Sequence, residues 1–495
     1  MGDEKPTTKP SGGVRAFVGD AVFVVAAQVL GKLRGLVTLP LIVKGLGAEA
    51  YGVWSLILSF SVVASNVVGL NLHHALVRFV ADRKSAPVYG TLLAQTFALL
   101  AVFIGVFWLV TTPSMSLVLI GTTDVRLFRV SLVIVASLAL RNLNLNLYRA
   151  TNHIKMRSIV DFTVAFAELG IILALLGLGF GLFTVLVAMA IVGLSVVALT
   201  SLHGRRIVGP LEFDRQVLRD ATRYCVPLLP AGLAVWVLDR ADRYVISQFL
   251  DAKAVGNYSA QYALASLILF AQAPFQMALL PRLLQAWNKD RALATRYLEG
   301  GYRLYGLIAT FFVAVVPFLG PPVLRVLANA QVAEGSPINM AFVSAGLALW
   351  GLAIVDQCVL HATYKTRAIG FSTALAAGVN VGACVLLVPR MGITGAALAT
   401  TLAYGVSWVA CWLPARRAHT FSRSAGSLGR GVIAAVPAAL LVHLVGAGSL
   451  GRVAAAAIGA FAVYCALLFA LGVVTAEDRA RLAHLLRRRV TARSR

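Results

Sequence analysis

LGAEAYGVWSL, Leu46 to Leu56, recurs in the second half of the chain as LDAKAVGNYSA, Leu250 to Ala260. The echo continues in order. RATNHIK (Arg149 to Lys155) returns as HATYK (His361 to Lys365), and the apolar segment opening at Gly181 returns at Gly392. Near-constant spacing between the copies means that one plan was duplicated whole. Two helical halves with a site where they meet make the architecture of a membrane transporter. The pattern therefore points to moving a solute across a bilayer rather than to chemistry on it.

Composition fixes the environment. The 495 residues are 59% hydrophobic and only 13% charged, far too apolar for a water-soluble globule. A bilayer-spanning helix needs about twenty apolar residues, and the chain supplies roughly fourteen such stretches. They begin near Phe17, Tyr51, Thr91, Leu127, Ser158 and Gly181, then near Pro227, Asn257, Tyr302, Ile338, Gly370 and Gly392. A final pair begins near Gly431 and Arg452. The expected fold is an all-α polytopic membrane protein. It has a polar arm over 1–15, a six-helix half over 16–204, a linker over 205–221 and a second six-helix half over 222–415. Two further spans lie within 416–472, and a basic tail runs over 473–495.

A net charge of +24 suggests nucleic acid until its placement is read. The cations crowd alternate connections, such as Arg83 with Lys84, and Arg205, Arg206, Arg215 and Arg219. Arg416, Arg417, Arg423, Arg430 and the tail from Arg479 follow suit. Connections on the opposite side carry single cations such as Lys44, Arg126, Lys253 and Arg325. This is the positive-inside pattern, and it places both termini in the cytoplasm with no nucleic-acid partner. The tail also suits anionic lipid headgroups. The N-terminal arm lacks a cleavage pattern, so no removable signal peptide is expected. Five cysteines without ligand spacing read as packing residues, with no metal site. No P-loop GxxxxGK[ST] occurs, and the outward connections are too short for a folded catalytic domain. A transporter without enzymatic activity or cofactor is expected, coupled to a proton or sodium gradient or to none.

Ionisable groups inside apolar helices are costly and are functional candidates by default. Lys32 and Arg34 in the first span are two residues apart. They either border a wide wet cavity or pair structurally. The seventh span holds Asp239, Arg240, Asp242 and Arg243. Asp239 and Arg243 are one turn apart and suit an intrahelical ion pair, which leaves Asp242 less obviously satisfied. The group reads either as a neutral clamp or as a cation or proton site on Asp242 or Asp239. His73, His74 and Arg78 near the end of the second span either meet a substrate phosphate or sit at the membrane interface. Arg141 stands among Asn142, Asn144 and Asn146; Asp161 and Glu168, seven apart, share a face from which to neutralise Arg141 or Lys32. Asp356, Gln357 and His361 make a similar polar group near the end of the tenth span. Asn380, Thr400 and Thr401 offer neutral oxygens to a cation or make ordinary interhelical hydrogen bonds.

Three stretches carry a family resemblance: YGVWSLILSFSVVASNVVGLNLHHALVRFVAD (51–82), VPLLPAGLAVWVLDRADRYVISQFLDAKAVGNYSAQYALA (226–265) and LLVPRMGITGAALATTLAYGV (386–406). Together they resemble the bacterial polysaccharide transporters, the Wzx-like lipid-linked oligosaccharide flippases of the MOP superfamily. That superfamily also holds the lipid II flippase MurJ and the MATE drug exporters. The resemblance implies a V-shaped, MATE-like pair of six-helix lobes plus two C-terminal helices. It implies alternating access of an undecaprenyl-diphosphate-linked oligosaccharide for capsule, exopolysaccharide or O-antigen assembly. The setting it implies is the bacterial cytoplasmic membrane, among membrane lipids and polysaccharide polymerase machinery. Lys32 and Arg34 lie on the helix where that family carries cavity cations. Asp242 matches its acidic position in DRYVIS, with Asp239 and Arg240 as additions. Where a MurJ-type sodium site expects an acid in the eleventh helix, this chain offers Asn380 and Cys384.

Charge balance agrees independently. A diphosphate carries about two negative charges, and taking it unpaired through hydrocarbon costs many kcal/mol. Fixed cations offset that cost. The alternatives are lipid II flipping, MATE-type drug export, which favours an acidic and aromatic cavity, and a membrane-embedded glycosyl polymerase or ligase.

Overall fold

Long apolar runs in a bilayer leave backbone N–H and C=O groups without water, so they close their hydrogen bonds as helices. The computed structural model describes the backbone of residues 13–423, 425–445 and 449–473. Side chains are described from residue 34 onward, apart from 36, 273, 274, 276, 277 and 450. The first twelve residues, the side chain of Lys32 and the tail beyond Val473 lie outside the described residues. Every regular element among the described residues is helical.

Among the described residues, twelve helices are long and apolar enough to cross a membrane. The span expected near Phe17 lies mostly among residues outside that count, which begins at Val37. Its helix runs into the span expected near Tyr51 as Gly13–Val68, broken at Gly47, whose φ of 92° lies in the left-handed region. The other expected span that does not count separately has a local cause. The stretch beginning near Asn257 is divided into Ala252–Ala265 and Leu269–Trp287 by the short turn Ser266–Ile268. Helix starts follow elementary capping. Asp214 accepts from the backbone N–H of Gln216, Asp251 from that of Ala254, and Asp290 from that of Leu293.

The duplication survives in backbone detail. The Val125–Ala150 and Ser336–Ala362 helices end alike, with Asn152 and Tyr364 at φ 60° and 58°. His153 N–H returns to the Tyr148 carbonyl at 2.7 Å, and Lys365 N–H to the Leu360 carbonyl at 2.8 Å. Both are the six-to-one closure that ends a helix through a left-handed residue. Arg205 and Arg206 close the Leu182–Val208 helix as Arg416 and Arg417 close Ile393–Ala418.

The described residues cluster into two units: one gathers residues up to Leu46 with Val53–Leu233, the other Gly47–Gly52 with the chain from Ala234. In the first, Tyr89, Phe128, Leu132 and Leu147 are fully buried. Asn144 takes a hydrogen bond from Tyr89 Oη at 2.9 Å and donates to Thr200 Oγ1 and Ser201 Oγ, each at 2.9 Å. In the second, one core gathers Leu283, Leu298, Tyr302, Val359 and Cys411. Another joins Val315 to Ala434, Ala438, Ala460 and Tyr464, and so packs the final two helices onto Arg291–Leu327.

The echoed motifs meet at their glycines within the second unit. A Cβ on Gly52 would lie 1.8 Å from the Ala252 carbonyl oxygen, and one on Gly256 1.9 Å from that of Ala48. The contact is reciprocal, and its obstacles are backbone, which no rotamer relieves. Gly256→Ala is therefore expected to cost about 3 kcal/mol or more, the upper range of overpacking. A thermal melt in detergent checks it, with Gly105→Ala, which meets nothing within 4 Å, as the near-neutral control.

Candidate functional site

Glu168 lies on the stripe Val164, Glu168, Ile172 that the Ile154–Gly177 helix buries. Two guanidinium groups converge on its carboxylate. Arg34 Nη1 donates to Oε2, and Arg141 Nη1, from the Val125–Ala150 helix, lies 3.7 Å from Oε1. The side chains of Arg34 and Arg141 are 34% and 19% exposed, against 9% for Glu168. Two cations thus share one anion, and among the described residues the cluster keeps a surplus positive charge on partly exposed side chains. Lys32, two residues before Arg34, has a side chain outside the described residues.

Asp161 makes its ion pair outside this group, although the Arg141 charge also acts on it. Its carboxylate lies 3.9 Å from Arg157 Nε, one turn earlier on the same helix. The seven-residue spacing put Asp161 and Glu168 on one face, yet Arg157 is the nearer cation for the first of them. His73, His74 and Arg78 gather elsewhere in the first unit. The two imidazoles lie 4.2 Å apart, and His73 lines a small polar cavity with Ser65, Asn66, Thr96 and Asn142. Arg78 pairs with Asp82 at 2.5 Å on an exposed face.

The second unit holds the seventh-span charges in a different pairing from the one expected. Arg243 does not bridge to the Asp239 carboxylate. Its Nη1 donates to Asp242 Oδ1 at 3.0 Å and to the Asp239 backbone carbonyl at 3.0 Å. Asp239 pairs with Arg240 at 3.1 Å. Burial decides the exchange. Asp242 is 2% exposed, so its charge needs a partner most, whereas the Asp239 side chain is half exposed. Asp242 is fully satisfied: it also accepts from the Arg243 backbone N–H at 2.8 Å and from Tyr258 Oη at 2.6 Å. Tyr258 Oη lies 3.3 Å from Thr400 Oγ1, and the Arg243 guanidinium lies 4.7 Å from the Tyr262 ring centroid.

Tyr258 and Tyr262 were not among the sequence candidates, although two tyrosines one turn apart in an apolar helix are a readable signal for buried polar work. Asn380 is wholly buried, and neither end of its amide is hydrogen-bonded. Thr400 returns its hydroxyl to the Ala396 carbonyl at 3.0 Å, and Thr401 reaches the Phe342 carbonyl at 2.6 Å. Among the described residues no three His, Cys, Asp or Glu side chains gather as a metal site.

Asp356, fully buried, takes a hydrogen bond from Arg423 Nη2 at 2.8 Å. Arg423 follows the twelfth expected span and also stacks over Phe421 at 4.4 Å. His419 in the same connection meets Thr295 Oγ1 at 2.9 Å, and burial pushes its imidazole below the ordinary value. Gln357 donates to Cys411 Sγ at 3.8 Å, a structural contact.

Charge accounting separates these groups. Asp242 with Arg243, Asp239 with Arg240 and Asp356 with Arg423 each set one carboxylate against one arginine. The Arg34–Glu168–Arg141 group departs from that balance, and it leans positive. A fixed, partly open cationic surplus suits a mobile anion.

The sequence pattern of a family described as polysaccharide biosynthesis protein matches residues 17–287. No curated protein matches the chain significantly. Among solved structures, the lipid II flippase MurJ in an inward closed conformation matches with a TM-score of 0.75 at 12% identity, over 92% of this chain and 99% of that one. An inward-facing multidrug resistance MATE family transporter of the MOP superfamily gives 0.62 at 14% identity, over 80% and 97%. A MOP superfamily transporter from Pyrococcus furiosus, described as having a binding pocket of reversed polarity, gives 0.59 at 15% identity, over 83% and 98%. At such identities the likeness establishes the fold, that of a multi-pass helical membrane protein.

Proposed function

The chain belongs to the polysaccharide biosynthesis protein family, and from that premise we propose that it is a flippase for undecaprenyl-diphosphate-linked oligosaccharide. It carries the repeat unit from the cytoplasmic to the outer leaflet by alternating access, serving capsule, exopolysaccharide or O-antigen assembly. The membrane is the bacterial cytoplasmic membrane, with both termini inside, and the product is handed to polysaccharide polymerase machinery.

One observation carries the reading: the surplus positive charge that Arg34 and Arg141 leave over Glu168. A diphosphate brought among apolar helices needs charge-assisted hydrogen bonds, and guanidinium groups present two parallel donors each. A single surplus charge attracts the headgroup without matching it fully, so release stays feasible. Glu168 has a positioning part, holding both arginines by one carboxylate. Export of cationic drugs would call for the opposite sign.

Within this reading Asp242 belongs to a structural clamp in the second unit, since Arg243 and Tyr258 already satisfy it. The driving force is an ion gradient, of protons or of sodium.

Reconstitution in liposomes with a fluorescent prenyl-diphosphate sugar tests the proposal, scoring translocation separately from chain elongation. Proton and sodium gradients imposed in turn identify the coupling. Elongation without translocation would sink the reading in favour of a polymerase.

A further inference from the structure

The helix Arg215–Cys225 buries Val217, Ala221 and Cys225 on one face. Its outer face carries Arg215, Arg219 and Arg223 at successive turns, all exposed. Among the described residues none of the three makes an ion pair, a side-chain hydrogen bond or a ring contact. The helix's two acids are engaged elsewhere: Asp214 caps its first turn, and Asp220 pairs with Arg83 at 2.6 Å. The arginines line an open groove of about 700 Å³ together with Leu218, Thr222 and Val226.

Two features say what fits there. First, the arginines are followed at once by exposed apolar side chains, Tyr224, Val226 and Leu228, where the chain turns into the apolar helix Leu229–Phe249. A cationic face continuous with an apolar one is the signature of a helix lying in a membrane interface. Second, at 1.5 Å of rise per residue the three groups spread over about 12 Å. That row is wider than one diphosphate and matches neighbouring headgroups in a leaflet. Arg205 and Arg206 line a further open groove with Gly209, Pro210 and Leu211, so the basic surface extends across the connection.

We propose that the Arg215–Arg219–Arg223 face is a docking surface for anionic phospholipid headgroups, anchoring the connection that leads into the seventh span. The phosphodiester of a lipid such as phosphatidylglycerol accepts from the guanidinium groups while its acyl chains meet Val226 and Leu228. The proposal concerns equilibrium lipid binding and stands or falls separately from the flippase reading.

The test uses the full-length protein in neutral detergent, with phosphatidylglycerol or phosphatidylcholine titrated in and binding read by native mass spectrometry. The wild-type chain is expected to prefer phosphatidylglycerol. A basic residue beside an anionic lipid contributes about fivefold, so R215Q/R219Q/R223Q should lose roughly a hundredfold in affinity. The triple lysine variant keeps the charge and should retain the preference at reduced affinity. Raising salt to about 1 M, where screening reaches only about 3 Å, should weaken the native chain's binding in the same way. Unchanged phosphatidylglycerol affinity in the glutamine variant overturns the proposal. Should that variant fail to fold, salt-insensitive binding by the native chain overturns it equally. So does a polyprenyl diphosphate that binds through these arginines when phosphatidylglycerol does not.

Discussion

Replacing Arg141 with glutamine is expected to slow translocation of a prenyl-diphosphate sugar sharply, and replacing Glu168 as well is expected to restore part of it. The reasoning is a charge count. The native cluster holds two arginines against one carboxylate, a surplus of one. Among the described residues, Arg141→Gln leaves Arg34 and Glu168 as a neutral pair with no surplus charge to offer a diphosphate. Each charge-assisted hydrogen bond is worth about 1.5–3 kcal/mol. Losing one or two of them should slow transport by roughly a hundredfold. The double variant, Arg141→Gln with Glu168→Gln, frees Arg34 and returns the surplus to one. A merely structural trio makes transport follow thermal stability across these variants, because a stranded buried charge destabilises and removal of its partner relieves it. Recovery of transport that follows net charge, with no parallel change in the melting temperature in detergent, therefore separates an anion site from scaffolding. Arg34→Gln with Arg141→Gln removes every cation of the described cluster and should abolish transport while the protein remains in the membrane. Translocation at the native rate in that variant would discard the cluster as the headgroup site.

How far this cluster was legible in the sequence depends on what kind of information placed it. The apolar runs and the duplicated LGAEAYG and LDAKAVG motifs needed only local pattern, because about twenty apolar residues make a helix wherever they occur. Glu168 and Arg141 stood out for the same local reason, as charges in apolar helices. Their meeting with Arg34 did not, since Arg34 and Glu168 are 134 residues apart and nothing in either helix names the other.

The i,i+4 rule failed at Asp239 and Arg243 for a physical reason. It weighs two neighbours on an isolated helix at a few tenths of a kcal/mol, and tertiary burial of Asp242 outbids it. The partners that complete that burial, Tyr258 and Tyr262, come from another helix altogether. Arg423 shows the converse. It counted only towards topology as one cation among several in a connection, yet it folds back onto the buried Asp356. Positive charge in a connection can serve topology and a buried carboxylate together, and sequence reveals the first of these alone.

The second unit offers a sharper test of what buried charge is for. Removing one side of the Asp242–Arg243 pair should destabilise the protein by about 3–5 kcal/mol, whereas removing both should cost far less. Asp242→Leu strands a guanidinium whose side chain is 8% exposed, leaving it the Asp239 carbonyl and the Tyr262 ring. Arg243→Met is expected to be milder, since Asp242 keeps Tyr258 Oη and the backbone N–H of residue 243. In Asp242→Leu with Arg243→Met, apolar side chains replace the whole pair, and the melting temperature should recover most of the loss. Thermal unfolding in detergent reads the cycle directly. Transport in the same double variant then decides between the two meanings of the cluster. A clamp predicts that the dependence on pH and on sodium is unchanged once stability returns. A cation or proton site predicts that the dependence disappears with the carboxylate, however well the protein folds.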